Sequence, residues 1–406
     1  MFSLSWKNIW RNKTRSLIII IAIVFGIIGG VGIIAFMKGM FNQRLEMAIG
    51  NEVSNIQIHN SHFLSNKEIN DTISGIDNIT AVLDTSKKIK AYSTRLKVVS
   101  MINSATNSEG IILNGIDPEK EKKVTGICKF IQTGTYFNEN RKNGIVIGDK
   151  LAHKLKIRLH SKVVVTMQST AGNLTSAAYK VTGIYKTDNS TFDGHNAFVR
   201  TTGLSEIIGS SSHTTHEIAI SVYNDNESVT LANSLKKKFN ENNLSVEVWF
   251  ELMPELGLLT GAMNYILYIF MLIIFLALSF GIINTMLMAV LERIREIGML
   301  MAIGMNKFRI FTMIMLETIM LMLTGSVIGL ILSFAMVSFF GKYGINLSTF
   351  ASGFSGYGFS TMVYPELENA AYIKIVIMVV VAGIISSIIP ARRALKLNPA
   401  EAIRTI

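Results

Sequence analysis

Residue types that make and break bonds are sparse in this 406-residue chain, and no group of them is spaced for catalysis. His59/His62 and His213/His216 each stand three apart, but no carboxylate or cysteine cluster lies near them at ligand spacing, so no metal site is expected. Serine, histidine and aspartate occur without the G-x-S-x-G turn of a hydrolase. No G-x-x-x-x-G-K-[ST] is present, so the chain does not cradle nucleotide phosphates through a P-loop, and no cofactor is expected on it. Cys128 is a single cysteine, unable to form an internal disulfide, and reads as a small buried side chain. Glu317 sits inside an apolar run, about two helical turns from Arg309. A carboxylate there is costly and serves either packing or mechanism.

The spacing that stands out is mechanical. Residues 292–305 read Glu-Arg-Ile-Arg-Glu-Ile-Gly-Met-Leu-Met-Ala-Ile-Gly-Met, a short charged amphipathic segment between the apolar runs 262–291 and 310–340. Glu292/Glu296 and Ile297/Met301 repeat four apart, on one helical face. Glu292, Arg293, Arg295 and Glu296 offer polar contacts to a partner. Gly298 allows close approach, and Gly304 is placed to end the helix.

The elements that must position this segment lie in a membrane. The chain is 49% apolar with mean hydropathy +0.39, and residues 17–37, 256–291 and 318–341 carry no charge. With the shorter run 375–391, this predicts four spanning helices. The first run follows the basic residues Lys7, Arg11, Lys13 and Arg15 like a signal peptide, but its length and the lack of a small-x-small site mark a retained anchor. The basic residues flanking it, those of 292–309 (Arg293, Arg295, Lys307, Arg309) and those of the tail (Arg392, Arg393, Lys396, Arg404) supply most of the net charge of +11. The positive-inside rule puts both termini in the cytoplasm. Charge clustered at membrane flanks is not a nucleic-acid surface.

The expected organisation is an interfacial helix over 1–16 carrying Trp6 and Trp10, a first span over 17–40, and a large α+β extracytoplasmic domain over 41–255. Spans over 256–291, 310–341 and 372–390 follow, separated by the 292–309 segment and an external loop over 342–371, with a tail over 391–406. Within the domain, Asn55–His59, Ile145–Ile147, Lys162–Met167 and Tyr179–Tyr185 alternate as strands, and 149–157 and 227–241 read as helices. Ala171-Gly172-Asn173 reads as a hairpin turn, Glu247–Phe250 as a strand end before Pro254, and the Gly/Ser-rich 352–360 as a flexible loop. Met40, Phe41, Leu45 and Met263 flank the membrane mouth and could contact a lipid-like ligand, although methionine is also ordinary filler in apolar cores.

At 292–304 the chain resembles the FtsX/MacB/lipoprotein-releasing family of ABC permeases, whose coupling segment follows E-x-x-x-E-I-G-x-x-x-A-x-G. Residues 6–15 resemble the family's W-x-N-x-x-R-N-K-x-R, and 390–404 its terminal P-A-x-x-A-x-x-x-x-P-x-E-A-[LI]-R. Weaker similarities fall at 143–155, 179–185 and 192–199. The resemblance implies a permease of the bacterial inner membrane that pairs with a second permease protomer, identical or homologous. It also implies a separate ABC ATPase subunit, holding ATP and Mg, that docks on Glu292, Arg293, Arg295, Glu296, Ile297, Gly298, Ala302 and Gly304. The implied work is extraction of lipoproteins for release to a periplasmic carrier. The alternative is a mechanotransmitter that drives efflux or activates a cell-wall hydrolase. The hairpin around 167–180 departs from the carrier-binding members: it is short and has no proline.

Overall fold

The computed structural model describes residues 11, 13–137, 143–211, 213–239 and 243–395. Trp6, Trp10 and the tail from Lys396 to Arg404 lie outside the described residues. The chain divides into two compact units, one holding the apolar helices and the other comprising Phe41–Thr260 with Leu347–Met362.

Among the described residues, four helices are long and apolar enough to cross a membrane. They are α1 (Lys13–Met47), α2 (Pro254–Glu292), α4 (Lys307–Tyr343) and α5 (Asn369–Leu395), with the short α3 (Ile294–Ala302) between α2 and α4. Hydrocarbon offers no hydrophobic drive between helices, so shape decides how they pack. Helix α1 presents a buried ridge, Ile19, Ile23, Ile27, Val31 and Ile34, at intervals of three or four. Gly325 and Gly329 of α4, also four apart, receive it: a Cβ at Gly325 would stand 2.9 Å from Ile23 and one at Gly329 3.1 Å from Ile27. On another face of α1, Gly26 and Gly30 admit Leu278 and Ile274 of α2 in the same way. In α5, Gly383 lies against Met322 of α4, beside buried Ser386 and Ser387.

Pro390 was expected to end the fourth span. Instead it lies inside α5, which continues to Leu395. Proline forfeits one backbone bond but keeps a helical φ, and the next turn is retained by buried Ala391 and Ala394.

The other unit is built on one ten-stranded sheet. Its strands are β1 (Ile56–Asn60), β2 (Ile89–Asn103), β3 (Ser108–Ile116), β4 (Ile131–Gly134), β5 (Gly144–Gly148), β6 (Lys162–Gln168), β7 (Leu174–Tyr185), β8 (Asn196–Arg200), β9 (Glu217–Val222) and β10 (Leu244–Val248). The order is β10-β1-β9-β2-β3-β8-β5-β7-β4, with β6 joining β2 to β7. Pairing is antiparallel except β3 with β8 and β5 with β7. The helices Asp149–Leu155 and Thr201–Ile208 cover one part of the sheet through Leu151, Leu155, Leu204 and Ile208. Ser228–Phe239 covers another through Leu231 and Leu235.

Two local readings change. Trp249 and Phe250 begin a short helix, Trp249–Leu252, instead of ending a strand. There Glu251 turns back to accept from the Val248 N–H at 2.9 Å. The Gly/Ser-rich segment follows a defined path. The carbonyls of Ser355, Gly356 and Tyr357 accept from Ser190 Oγ, Thr191 Oγ1 and Arg44 Nε at 3.1, 2.9 and 2.9 Å. Arg44 is itself held by Glu52 at 2.8 Å.

A buried charge cluster ties the centre of the sheet together. Arg95 on β2 donates to Glu217 on β9 at 2.6 Å and to Glu121 at 2.7 Å. Lys97 and His59 complete the shell of Glu217, which is 1% exposed. Burial alone would raise the Glu217 carboxyl, but Lys97 and Arg95 hold it well below the usual range. Since its folded pKa is depressed, the stability it contributes is present above the unfolded carboxylate value and is lost as pH falls towards the folded one. Glu217→Gln should cost about 3 kcal/mol or more at neutral pH, because it removes the buried charge that Arg95 and Lys97 share. It should also flatten the loss of melting temperature that the wild type shows on acidification from about pH 7 to 3. In the helical unit, Gly329→Leu should overpack α1 against α4 and cost about 1–3 kcal/mol, read as a lower melting temperature in detergent.

Candidate functional site: the segment between the second and third long helices

Helix α2 breaks at Arg293, whose φ of −106° and ψ of 15° fall in the sparsely allowed bridge region. From there α3 runs to Ala302 and stops at Gly304. Its φ of +94° suits glycine and lets Gly304 N–H donate to Met301 O at 3.1 Å and Met305 N–H to Leu300 O at 3.0 Å. These paired bonds close a Schellman end and satisfy carbonyls the helix would otherwise orphan. Asn306 then caps α4, accepting from the Phe308 N–H at 3.1 Å.

Two inward anchors hold α3. Ile297 is 4% exposed and packs in one apolar cluster with Val290 of α2, Ile310 and Ile314 of α4, and Ala391 and Ala394 of α5. The small residues of the 390–394 motif thus share a core with the isoleucine of the 292–304 motif. Gly298 is buried beside Ile297.

The second anchor is electrostatic. Arg293 Nη1 donates to both carboxylate oxygens of Glu317 at 3.1 and 3.2 Å, and its Nε donates to Glu296 at 2.9 Å. Glu317 is 5% exposed, inside α4. Glu296 also pairs with Arg11. Slight burial would raise the Glu296 carboxyl, but hydrogen bonds from Arg293 and Arg11 bring it below its ordinary value. The sequence places Glu317 about two turns from Arg309, and the structure gives it a partner at the break between α2 and α3. A buried carboxylate demanded a cation, but a separation of 24 residues across a helix break carries no periodic signal.

The outward face carries the rest. Glu292, Arg295 and Ala302 are exposed, together with Met299 at 51% and Ile303 at 84%. Arg295, Met299, Ala302 and Ile303 follow helical spacing on α3, so they form one charged and apolar strip. Sequence reasoning divided the segment by residue type and did not single out Met299 or Ile303.

Met40 and Leu45 on α1 and Met263 on α2 are half-buried, and Phe41 is 8% exposed. None of them lines the apolar groove of about 360 Å³ between α1 and α2. That groove is walled by Gly26, Gly29, Gly30 and Ile33 of α1 with Leu278 and Gly281 of α2. Its signal was a glycine cluster inside an apolar run. Among the described residues no group of His, Cys, Asp or Glu is arranged to hold a metal ion.

Comparison with known proteins places both halves of this arrangement. Residues 16–238 match the MacB-like periplasmic core domain and 268–399 the FtsX-like permease C-terminal domain. An uncharacterised ABC transporter permease of Methanocaldococcus jannaschii is 25% identical over 418 residues, covering all of this chain and 97% of the relative. The lipoprotein-releasing system transmembrane protein LolE of Haemophilus influenzae is 19% identical, covering 99% of this chain and 98% of LolE. The macrolide export ATP-binding/permease protein MacB of Neisseria gonorrhoeae is 24% identical over 99% of this chain, which spans 60% of that protein's length. This chain belongs to the FtsX/MacB/LolE family of ABC transporter permeases.

Proposed function

We propose that this permease couples ATP hydrolysis on a separate ATPase subunit to the extraction of acylated lipoproteins from the outer leaflet of the cytoplasmic membrane, for release to a periplasmic carrier. The observation that carries the coupling half of this reading is the two-sided character of α3. Its inner face is locked to the long helices by Ile297 and Arg293, and its outer strip offers Arg295, Met299, Ala302 and Ile303 to a partner. A helix anchored on one side and open on the other is suited to receive force from a docked subunit. Glu292, Glu296 and Gly304 frame the strip, and ATP and Mg reside on the ATPase. Basic residues flanking α1, α3 and α5 support a topology with this side and both termini in the cytoplasm and the inserted domain outside.

For the cargo, the support is the glycine-walled groove between α1 and α2, which is apolar, and the end-to-end alignment with LolE. A second permease protomer, identical or homologous, would complete the path. One observation favours the alternative of a MacB-like mechanotransmitter without membrane cargo. The β6–β7 hairpin turns within 169–173 around Gly172, at φ +84°, leaving no long arm to capture a carrier.

Co-expression with the ATPase, purification and mass spectrometry discriminate the two. Acylated lipoproteins that travel with the complex and leave on adding ATP are the expected result. An assembled, hydrolysing complex without acylated cargo selects the mechanotransmitter. Met299→Asp with Ile303→Asp should reduce ATPase co-purification about tenfold or more while leaving the chain inserted, because a few apolar anchors dominate such interfaces. Unchanged co-purification would remove α3 as the docking element.

A further inference from the structure

We propose that Arg293 and Glu317 are positioning residues that make α4 follow α3, so that displacement of the docking helix reaches the third span. The inference rests on the reading of α3 as the ATPase-docking helix and assigns the route by which its motion enters the membrane.

The two anchors of α3 differ in what they can transmit. Ile297 packs in a shared apolar cluster with α2, α4 and α5, whose buried members on α4 are Ile310 and Ile314, in the first two turns. Apolar contacts are non-directional, so such a plug holds α3 in place without selecting which helix moves with it. Arg293 selects α4. It reaches past Ile314 to Glu317 and binds both carboxylate oxygens. The side chains are 18% and 6% exposed, so separating them would give up a charge-assisted bond in a water-poor site. A displacement of α3 therefore either carries α4 along or breaks a buried charge pair, and the first is the cheaper path. The backbone break at Arg293 places that guanidinium at the pivot between α2 and α3, so the chain can bend there while the side chain stays bonded. Glu296 extends the link to Arg11 of the segment leading into α1. One chain of charges thus joins α4, the docking helix and the entry to α1.

A stabilising role alone and a positioning role predict different behaviour when both charges are removed. The full complex of permease and ATPase, in lipid nanodiscs, is compared by hydrogen exchange with and without ADP-vanadate. The chains are the wild type, Arg293→Met, Glu317→Leu and the double variant. In the wild type, trapping should alter exchange on both Ile294–Ala302 and Lys307–Tyr343. Each variant should retain the response of Ile294–Ala302 and lose that of Lys307–Tyr343 by about fivefold or more, the scale of an ordinary coupling term. The double variant removes both charges of the pair, so its melting temperature should rise from that of the single variants towards wild type while the response on Lys307–Tyr343 stays lost. If a single variant fails to fold, the double variant still decides. Recovery of the α4 response together with stability would overturn the proposal, as would an α4 that does not respond in the wild type although α3 does. No response of wild-type Ile294–Ala302 to the ATPase would instead defeat the docking reading itself.

Discussion

A carboxylate inside an apolar helix bundle must be paired, and that requirement organises the end of this molecule where its motifs meet. Glu317 is drawn into an ion pair with Arg293, and the position of Arg293 fixes where α2 must break and where α3 begins. Once α3 starts there, its apolar residue Ile297 falls into the cluster formed by α2, α4 and α5, and its opposite face is left in solvent. An amphipathic strip on a helix this short would not hold its shape alone. It holds because one side chain is buried and another is charge-locked.

The same economy of contact governs the long helices. Their packing has no hydrophobic gain to draw on, so closeness is obtained by removing side chains. Gly26 and Gly30 admit α2, and Gly325 and Gly329 admit the isoleucine ridge of α1. The glycines on α1 serve twice, since together with Gly29 they also leave the groove beside α2. Close packing and a ligand-sized groove are thus two results of one local absence of side chains.

The inserted unit follows different rules because it is built on a sheet. Its charges are concentrated where β1, β2 and β9 cross, with Glu217 held between Arg95, Lys97 and His59. The segment 347–362 is held to this unit by backbone carbonyls that accept from Arg44, Ser190 and Thr191. Its glycines suggested freedom. Its path is set by donors more than 150 residues away in sequence, which no local reading reveals.

Periodicity and charge in the sequence determined the four apolar helices, the amphipathic segment between the second and third long helices and several strands, and its motifs carried the resemblance to the family. These are local properties: a run of apolar residues forms a helix in hydrocarbon whatever surrounds it, and Gly304 ends α3 through its own φ. Only the tertiary structure decided the rest. It turned Gly298 inward and Met299 and Ile303 outward, carried α5 past Pro390 and brought Arg293 to Glu317. It also revealed β9, β2 and β3 as adjacent strands inside the sheet. Each of these outcomes depends on which distant residue fills a given space or pairs a given charge. Spacing along the chain carries no record of that choice, because the partners meet only after the helices and strands have packed.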